Sequence, residues 1–249
     1  MLSIFTNEEQ NKRIHCIHIL INFGENYDFR QETLYLTMNI FDRYLFSLKS
    51  SNRLEGLNID NFKIILLACI FIASKYEEIY PPILDDYNEI FLFSKKEILR
   101  MEYEILKYTK FEFHIISPYF FLTKFFNDLE KNGPIKTLHG AQFILELCII
   151  SLDFCALKPS FQAVICIYLS KRLLNNNKIY KKKFWSMESS YITGYSEDEI
   201  KINSKKALKT MKEFFSDNIF RNYTKTALFK KYSTNKYSEV SNEFTKMFI

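Results

Sequence analysis

The chain has 249 residues, 47% of them hydrophobic and 17% aromatic, with 25 Phe and 16 Tyr against only 5 Gly and 5 Pro. That is material for one large core or two of roughly 100–125 residues each, with too few turn residues for a β-sandwich or barrel. A net charge of +5, from 34 basic and 29 acidic residues, is too mild for a nucleic-acid footprint unless it is clustered on one face.

Helical signals recur in chain order with short breaks. Residues 8–23 follow a Thr6 or Asn7 cap and acids, and are expected to stop at Gly24. Residues 30–48 place Leu34, Met38, Phe41 and Leu45 on one helical face, and the polar stretch "KSSNRLEGLN" (49–58) reads as a loop. Residues 60–76 are apolar on every side, the pattern of a surrounded helix. Pro81 and Pro82 open a short fourth helix. A fifth spans 95–109, opened by Ser94 with Glu97 three residues on, a capping box.

The series then restarts. Residues 117–131 begin with Ser117-Pro118, 136–154 form the next long helix, and 160–174 are again apolar nearly all round. A short helix is expected near 181–189 and another at 196–215, capped by Ser196 with Glu199. The string "CIFIASK" (69–75) returns as "CIYLSK" (166–171), so two helical units of about 100 residues are expected. The basic stretch "KRLLNNNKIYKKK" (171–183) reads as a solvated interhelical loop.

No apolar run reaches the roughly 18 residues that span a bilayer, and the N-terminus lacks a signal-peptide pattern. Cys16, Cys69, Cys148, Cys155 and Cys166 form no CxxC pair and are expected to be reduced, core-packed thiols. With 141–155 as one helix, Cys148 and Cys155 would stand about 10 Å apart along its axis, too far to bridge.

Several strings in order, "ETLYLTMNIFDRYL" (32–45), "FIASKYEEIYPP" (71–82) and "EILRMEYEILKYTKFEF" (97–113), resemble the cyclin box of A- and B-type cyclins. "LKPSFQAVICIYLSK" (157–171), "TGYSEDEI" (193–200) and "FKKYSTNKYSEVS" (229–241) resemble the C-terminal half of the same group, so the resemblance covers residues 11–242. It implies an all-α fold of two tandem five-helix cyclin-box units. These are expected at 1–113 and 114–215, with a tail, 216–249, packing on the second box. It implies a regulatory subunit that binds and activates a cyclin-dependent Ser/Thr kinase in the nucleus or cytoplasm, with no catalysis, cofactor, metal, nucleic acid or membrane of its own.

Lys75 ends the most apolar run of the chain, where the helix dipole favours a cation. Glu102 falls between Leu99 and Leu106 on the apolar stripe of its helix, where a carboxylate is costly unless paired or covered. Two opposite charges at the margin of an apolar patch are what a binding surface with orienting groups needs. The resemblance supplies roles: Lys75 and Glu102 match the charged pair with which cyclins grip the kinase around its C-helix. Ile72, Tyr76, Leu106, Phe111 and Phe113 match the apolar contacts around it. Arg13 and Asp42 match positions that form an internal salt bridge between the first and second helices.

The chain departs from the family at its docking groove for Arg-x-Leu peptides. The first helix reads Lys12-Arg13-Ile14-His15-Cys16, with Ile19 where those cyclins carry tryptophan, and Lys63 stands where a glutamine lines the groove. An apolar floor has become polar and basic, so substrate docking there is expected to be weak or altered. His15 and His18 share a helical face, but no further metal ligands can be placed beside them. The sequence starts about ten residues before the box, so the family's extra N-terminal helix is not expected, and no Arg has Leu three positions later, as the usual destruction motif requires. The rival reading is a transcription-factor-like cyclin-fold adaptor for nucleic acid or polymerase, disfavoured by the absence of zinc-ribbon cysteine spacing. Neither a Gly-rich phosphate loop nor a nucleophile elbow is present to support an enzyme.

Overall fold

A computed structural model describes residues 5–91, 93–129, 133–174, 185–216 and 223–248. Among them there is no strand, and the chain divides into two compact helical units, 1–115 and 116–249.

The first unit contains α1 (Asn7–Asn26), α2 (Gln31–Ser50), α3 (Ile59–Glu77), α4 (Leu84–Phe91) and α5 (Lys95–Thr109). Capping boxes fix three of the starts: Thr6 with Glu9, Asn58 with Asn61, and Ser94 with Glu97. Every side chain of α3 from Ile64 to Ser74 is buried, because α1, α2 and α5 all pack against it. An apolar helix without a polar face is stable only when surrounded in this way.

Helix α1 does not stop at Gly24. It runs on to Asn26, and the left-handed residue that turns the chain is Asp28, at φ 49°. Gly24 is an ordinary helical position, where a Cβ would make only van der Waals contact with the Phe29 ring at 3.5 Å. Two ion pairs tie α1 to α2. Arg13 meets Asp42 in a two-pronged contact, Nε to Oδ1 and Nη2 to Oδ2, both 2.7 Å, with the guanidinium 1% exposed. Lys49 Nζ lies 2.8 Å from Glu9 Oε1. The Glu78 carboxylate, one residue past α3, accepts from the Arg30 backbone N–H (2.9 Å) and the Thr33 hydroxyl, joining the end of α3 to the start of α2.

The second unit comprises α6 (Pro118–Leu129), α7 (Ile135–Leu147), α8 (Leu152–Cys155), α9 (Pro159–Leu174), α10 (Met187–Thr193), α11 (Glu197–Phe215), α12 (Ala227–Tyr232) and α13 (Val240–Phe248). Helix α9 is its centre, buried throughout Gln162–Ser170. Gly140 lets α7 approach α9 closely: a Cβ there would collide with Ser170 Oγ, which donates 2.7 Å to the Thr137 carbonyl.

The single helix expected over 136–154 is broken. It ends at Leu147, passes through a 3-10 turn at Cys148–Ile150, and restarts where the Ser151 hydroxyl accepts from the Phe154 N–H at 3.3 Å. A serine that offers its own side chain to the backbone competes with helix continuation. Cys148 and Cys155 therefore do not share one straight helix. Both are free thiols, and Cys155 Sγ points at the carbonyls of Cys148 (3.7 Å) and Ile149 (3.4 Å). The short helix expected near 181–189 begins instead at Met187, after a Ser186 cap, and ends at Gly194 with φ 78°. Residues 181–184, like most of the basic stretch 171–183, lie outside the described residues.

Helix α12 is fastened to α7 by a fully buried carboxylate. Glu146 accepts from Lys231 Nζ at 3.2 and 3.0 Å and from the Tyr232 hydroxyl at 2.9 Å. Among the described residues no helix is long and apolar enough to cross a membrane.

Removing one partner of a sealed ion pair strands the other charge. Asp42→Ala is expected to lower unfolding free energy by roughly 3–5 kcal/mol, read from urea denaturation. The double variant Arg13→Met/Asp42→Leu should recover most of that loss.

Candidate functional site

Lys75 is the first residue after the buried run of α3 to reach solvent. Its ammonium is ion-paired with Glu102 Oε1 on α5 and sits 3.8 Å from the Phe71 ring centroid. The pair is lopsided: the lysine side chain is 42% exposed and the glutamate 11%. The carboxylate therefore lies behind and the ammonium in front. Glu102 Oε2 makes no hydrogen bond among the described residues, and the ammonium has donors beyond the one given to Oε1.

Glu102 lies deeper than its expected place between Leu99 and Leu106. The inward side of α5 is Ile98, Glu102, Ile105 and Thr109, while Leu99 is exposed and Leu106 half-buried. Those four residues share one helical face at spacings of four, three and four, so Glu102 occupies a core position that only a counter-ion makes tolerable.

The expected apolar residues separate into two layers. Tyr76 and Phe111 are open to solvent, Phe111 at 70% exposure. Ile72 (4%) and Phe113 (7%) are buried beneath and form the support. Phe113 sits edge-on to both outer rings, with centroids 6.1 Å from Tyr76 and 6.4 Å from Phe111. Exposed apolar side chains that the sequence did not single out lie on the same elements: Ile79 and Tyr80 just after α3, Ile83 before α4, and Tyr103 on α5. The signal for Tyr80 is the "YPP" string, because the residue directly before a proline is biased away from the helical conformation.

The residues of the expected docking groove are dispersed in depth. Arg13 is sealed on Asp42, and Cys16 is fully buried, its thiol pushed up to about 12 by burial. His15 is exposed, while Ile19, Lys12 and Lys63 are half-buried. The two lysines are neutralised locally: Lys12 Nζ lies 2.7 Å from Glu8 Oε1 and from the Leu57 carbonyl, and Lys63 Nζ lies 3.1 Å from Asp60 Oδ1. The surface is polar, without surplus positive charge at either lysine. No group of three or more His, Cys, Asp and Glu is placed to hold a metal ion among the described residues.

Comparison with known proteins bears on this surface. A model of the cyclin N-terminal domain matches residues 2–114, and one of the cyclin C-terminal domain matches residues 116–245. The chain is 30% identical over 248 residues to Cyclin-A1-4 of Oryza sativa subsp. japonica, covering 98% of this chain and 65% of that one. It is 32% identical over 226 residues to Cyclin-A1 of Xenopus laevis, covering 89% and 49%. To Cyclin-B1-4 of Arabidopsis thaliana it is 29% identical over 244 residues, covering 96% and 58%. The chain thus spans about half to two thirds of the length of these relatives. A viral cyclin from herpesvirus saimiri shares the fold at TM-score 0.66 and 16% identity, over 83% of this chain and 85% of that one.

His18, on α1 beside this groove, has its pKa lowered to about 4 by burial and by the neighbouring His15. Its folded value is below the ordinary one of about 6.5, so the unfolded chain takes up the proton first. Stability from this group is complete above pH 6.5 and lost as pH falls toward 4. A loss of about 1–2 kcal/mol between pH 7 and pH 5 is expected in urea titrations. His18→Gln should flatten that slope.

Proposed function

The chain belongs to the cyclin family, and from that premise we propose that it is the regulatory subunit of a cyclin-dependent Ser/Thr protein kinase, which it binds and activates to control cell-cycle progression. The observation that carries this reading is the Lys75–Glu102 pair, set at the rim of an exposed aromatic surface with its lysine half in solvent.

The pair offers a partner one donor and one acceptor at fixed positions: the remaining N–H bonds of Lys75 and the free Oε2 of Glu102. Tyr76, Leu106 and Phe111 flank them with apolar area, and Ile72 and Phe113 hold that layer from beneath. A kinase C-helix that presents apolar side chains with polar backbone groups between them meets these requirements together. In an isolated kinase of this class that helix rests outward, breaking the Lys–Glu ion pair that orients the ATP phosphates. A rigid surface that binds only the inward form shifts the population. Moving it from 1:99 to 99:1 requires about 5.5 kcal/mol of differential affinity, within reach of a few desolvated aromatic contacts and two charge-assisted hydrogen bonds. The protein contributes surface to this process and performs no chemistry.

Its partners are then the kinase, in a heterodimer, and substrate proteins that reach the α1–α3 groove. That groove is polar, with Lys12 and Lys63 already engaged, so it favours other sequences over Arg-x-Leu peptides. The working location is the nucleus or cytoplasm, without a nucleic-acid or membrane partner.

Lys75→Ala combined with Glu102→Ala removes both charges and leaves neither stranded. The double variant is expected to unfold within about 1–2 kcal/mol of the wild type while kinase activation, measured as histone phosphorylation by the reconstituted pair, falls to that of the kinase alone. Unchanged activation would refute the assignment.

A further inference from the structure

We infer that Arg43 is a positioning residue for the partner surface: it holds a strained left-handed turn that thrusts Phe111 into solvent. This inference rests on the kinase-binding reading above and assigns that surface a residue outside it.

The turn is unusual in its chemistry. Helix α5 ends at Thr109, and the next two residues, Lys110 (φ 51°) and Phe111 (φ 61°), both occupy the left-handed region. Glycine is the usual residue there. A bulky aromatic is an outlier, and two consecutive side-chain-bearing residues double the penalty. Such strain persists only where the surroundings over-determine it. Internal bonds are few: Glu112 N–H to the Thr109 carbonyl (3.0 Å) and Phe113 N–H to the Phe111 carbonyl (3.1 Å).

The external restraint comes from α2. Arg43 Nη1 donates 2.8 Å to the Glu112 carbonyl, and Nη2 stands 3.9 Å from the Glu112 carboxylate. The same guanidinium reaches back 3.5 Å to Asn39 Oδ1, one helical turn earlier, which fixes its direction along α2. Phe113, buried one residue further on, is the second anchor. Phe111 thus stands between a helix end and a clamped carbonyl, 70% exposed, in a backbone conformation it would leave if released. Arg43 is adjacent to Asp42, so two consecutive residues of α2 anchor two different elements: Asp42 holds α1 and Arg43 holds the segment after α5.

The test compares Arg43→Met, Arg43→Lys and Arg43→Met/Lys110→Gly in the full chain. Affinity is measured for an immobilised monomeric cyclin-dependent kinase catalytic subunit, and hydrogen exchange is followed at the amides of Glu112 and Phe113. Arg43→Met is expected to bind about tenfold more weakly, the effect of one charge-assisted hydrogen bond, with faster exchange at both amides and an unchanged melting temperature. Arg43→Lys keeps an N–H donor and should bind within a few-fold of wild type. Lys110→Gly relieves the left-handed penalty and should return both affinity and exchange toward wild type in the Arg43→Met background. Wild-type exchange in Arg43→Met overturns the inference. So does an affinity loss that Lys110→Gly fails to restore although exchange recovers, since Arg43 would then touch the partner directly. Should the wild-type chain bind no such kinase, the binding reading fails, and the exchange data alone decide whether Arg43 holds the turn.

Discussion

A carboxylate in a core position needs a counter-ion, and the rest of the candidate surface depends on how the chain supplies one to Glu102. Four ion pairs among the described residues include a nearly or fully buried charge, and their exposures separate them, with Lys49 and Glu9 at 27% and 9% between the extremes. Arg13 with Asp42 is sealed at 1% and 18%, and Lys231 with Glu146 at 4% and 0%. In both, the carboxylate accepts two or more hydrogen bonds from within the chain, so each pair is spent on joining helices. Lys75 with Glu102 has the same buried acid but an open base, at 42%. A pair meant only to join α3 to α5 would gain from full enclosure and more donors. Leaving the ammonium half-hydrated retains polar capacity that a partner can use.

The two units show how one scaffold diverges. Their central helices carry nearly the same string, and the serine near its end does a packing task in both. Ser74 bonds the Phe71 carbonyl and the Tyr87 hydroxyl, while Ser170 bonds the Thr137 carbonyl across the close approach at Gly140. The repeat is therefore a repeat of helix packing. The difference lies at the lysine that follows each serine: Lys75 is exposed and pairs with Glu102 of α5, whereas Lys171 is half-buried on α9. The second unit adds α12 and its buried Glu146–Lys231–Tyr232 contact, which spends polar groups on fastening its own C-terminal segment.

Much of this was visible in the sequence because local physics determined it. The caps at Ser94 and Ser196, the apolar run of α3 and the stop before Pro81–Pro82 all depend on residues a few positions apart. The break after Leu147 was hidden because apolar residues continue on both sides of it, and only the choice of Ser151 to cap a new turn separates them. Glu102 was recognisable as a carboxylate on an apolar stripe, but its depth depends on which face α5 turns to α3. A rotation of one residue moves the neighbours from Leu99 and Leu106 to Ile98 and Ile105. The layering of Tyr76 and Phe111 over Phe113 was not legible either, since all three read alike as aromatics near a helix end. The Arg43 clamp was the least visible feature: its partner is a backbone carbonyl 69 residues away, which carries no side-chain signature.

Preorganisation connects these details to function. An exposed aromatic that rotates freely loses conformational freedom on capture, and that loss subtracts from affinity. Here Phe113 lies edge-on to both Tyr76 and Phe111, and the turn beneath Phe111 is held at both ends, so most of that cost is met when the chain folds. The ammonium of Lys75 is likewise fixed before any encounter by Glu102 and the Phe71 ring. A surface rigid in both its apolar and its polar parts discriminates between two shapes of a partner better than a compliant one, because it cannot adapt to the wrong shape. The proposed function, selecting one conformation of another protein, calls for that kind of rigidity, and under that proposal the backbone strain at Lys110 and Phe111 serves to hold an exposed ring of the candidate surface.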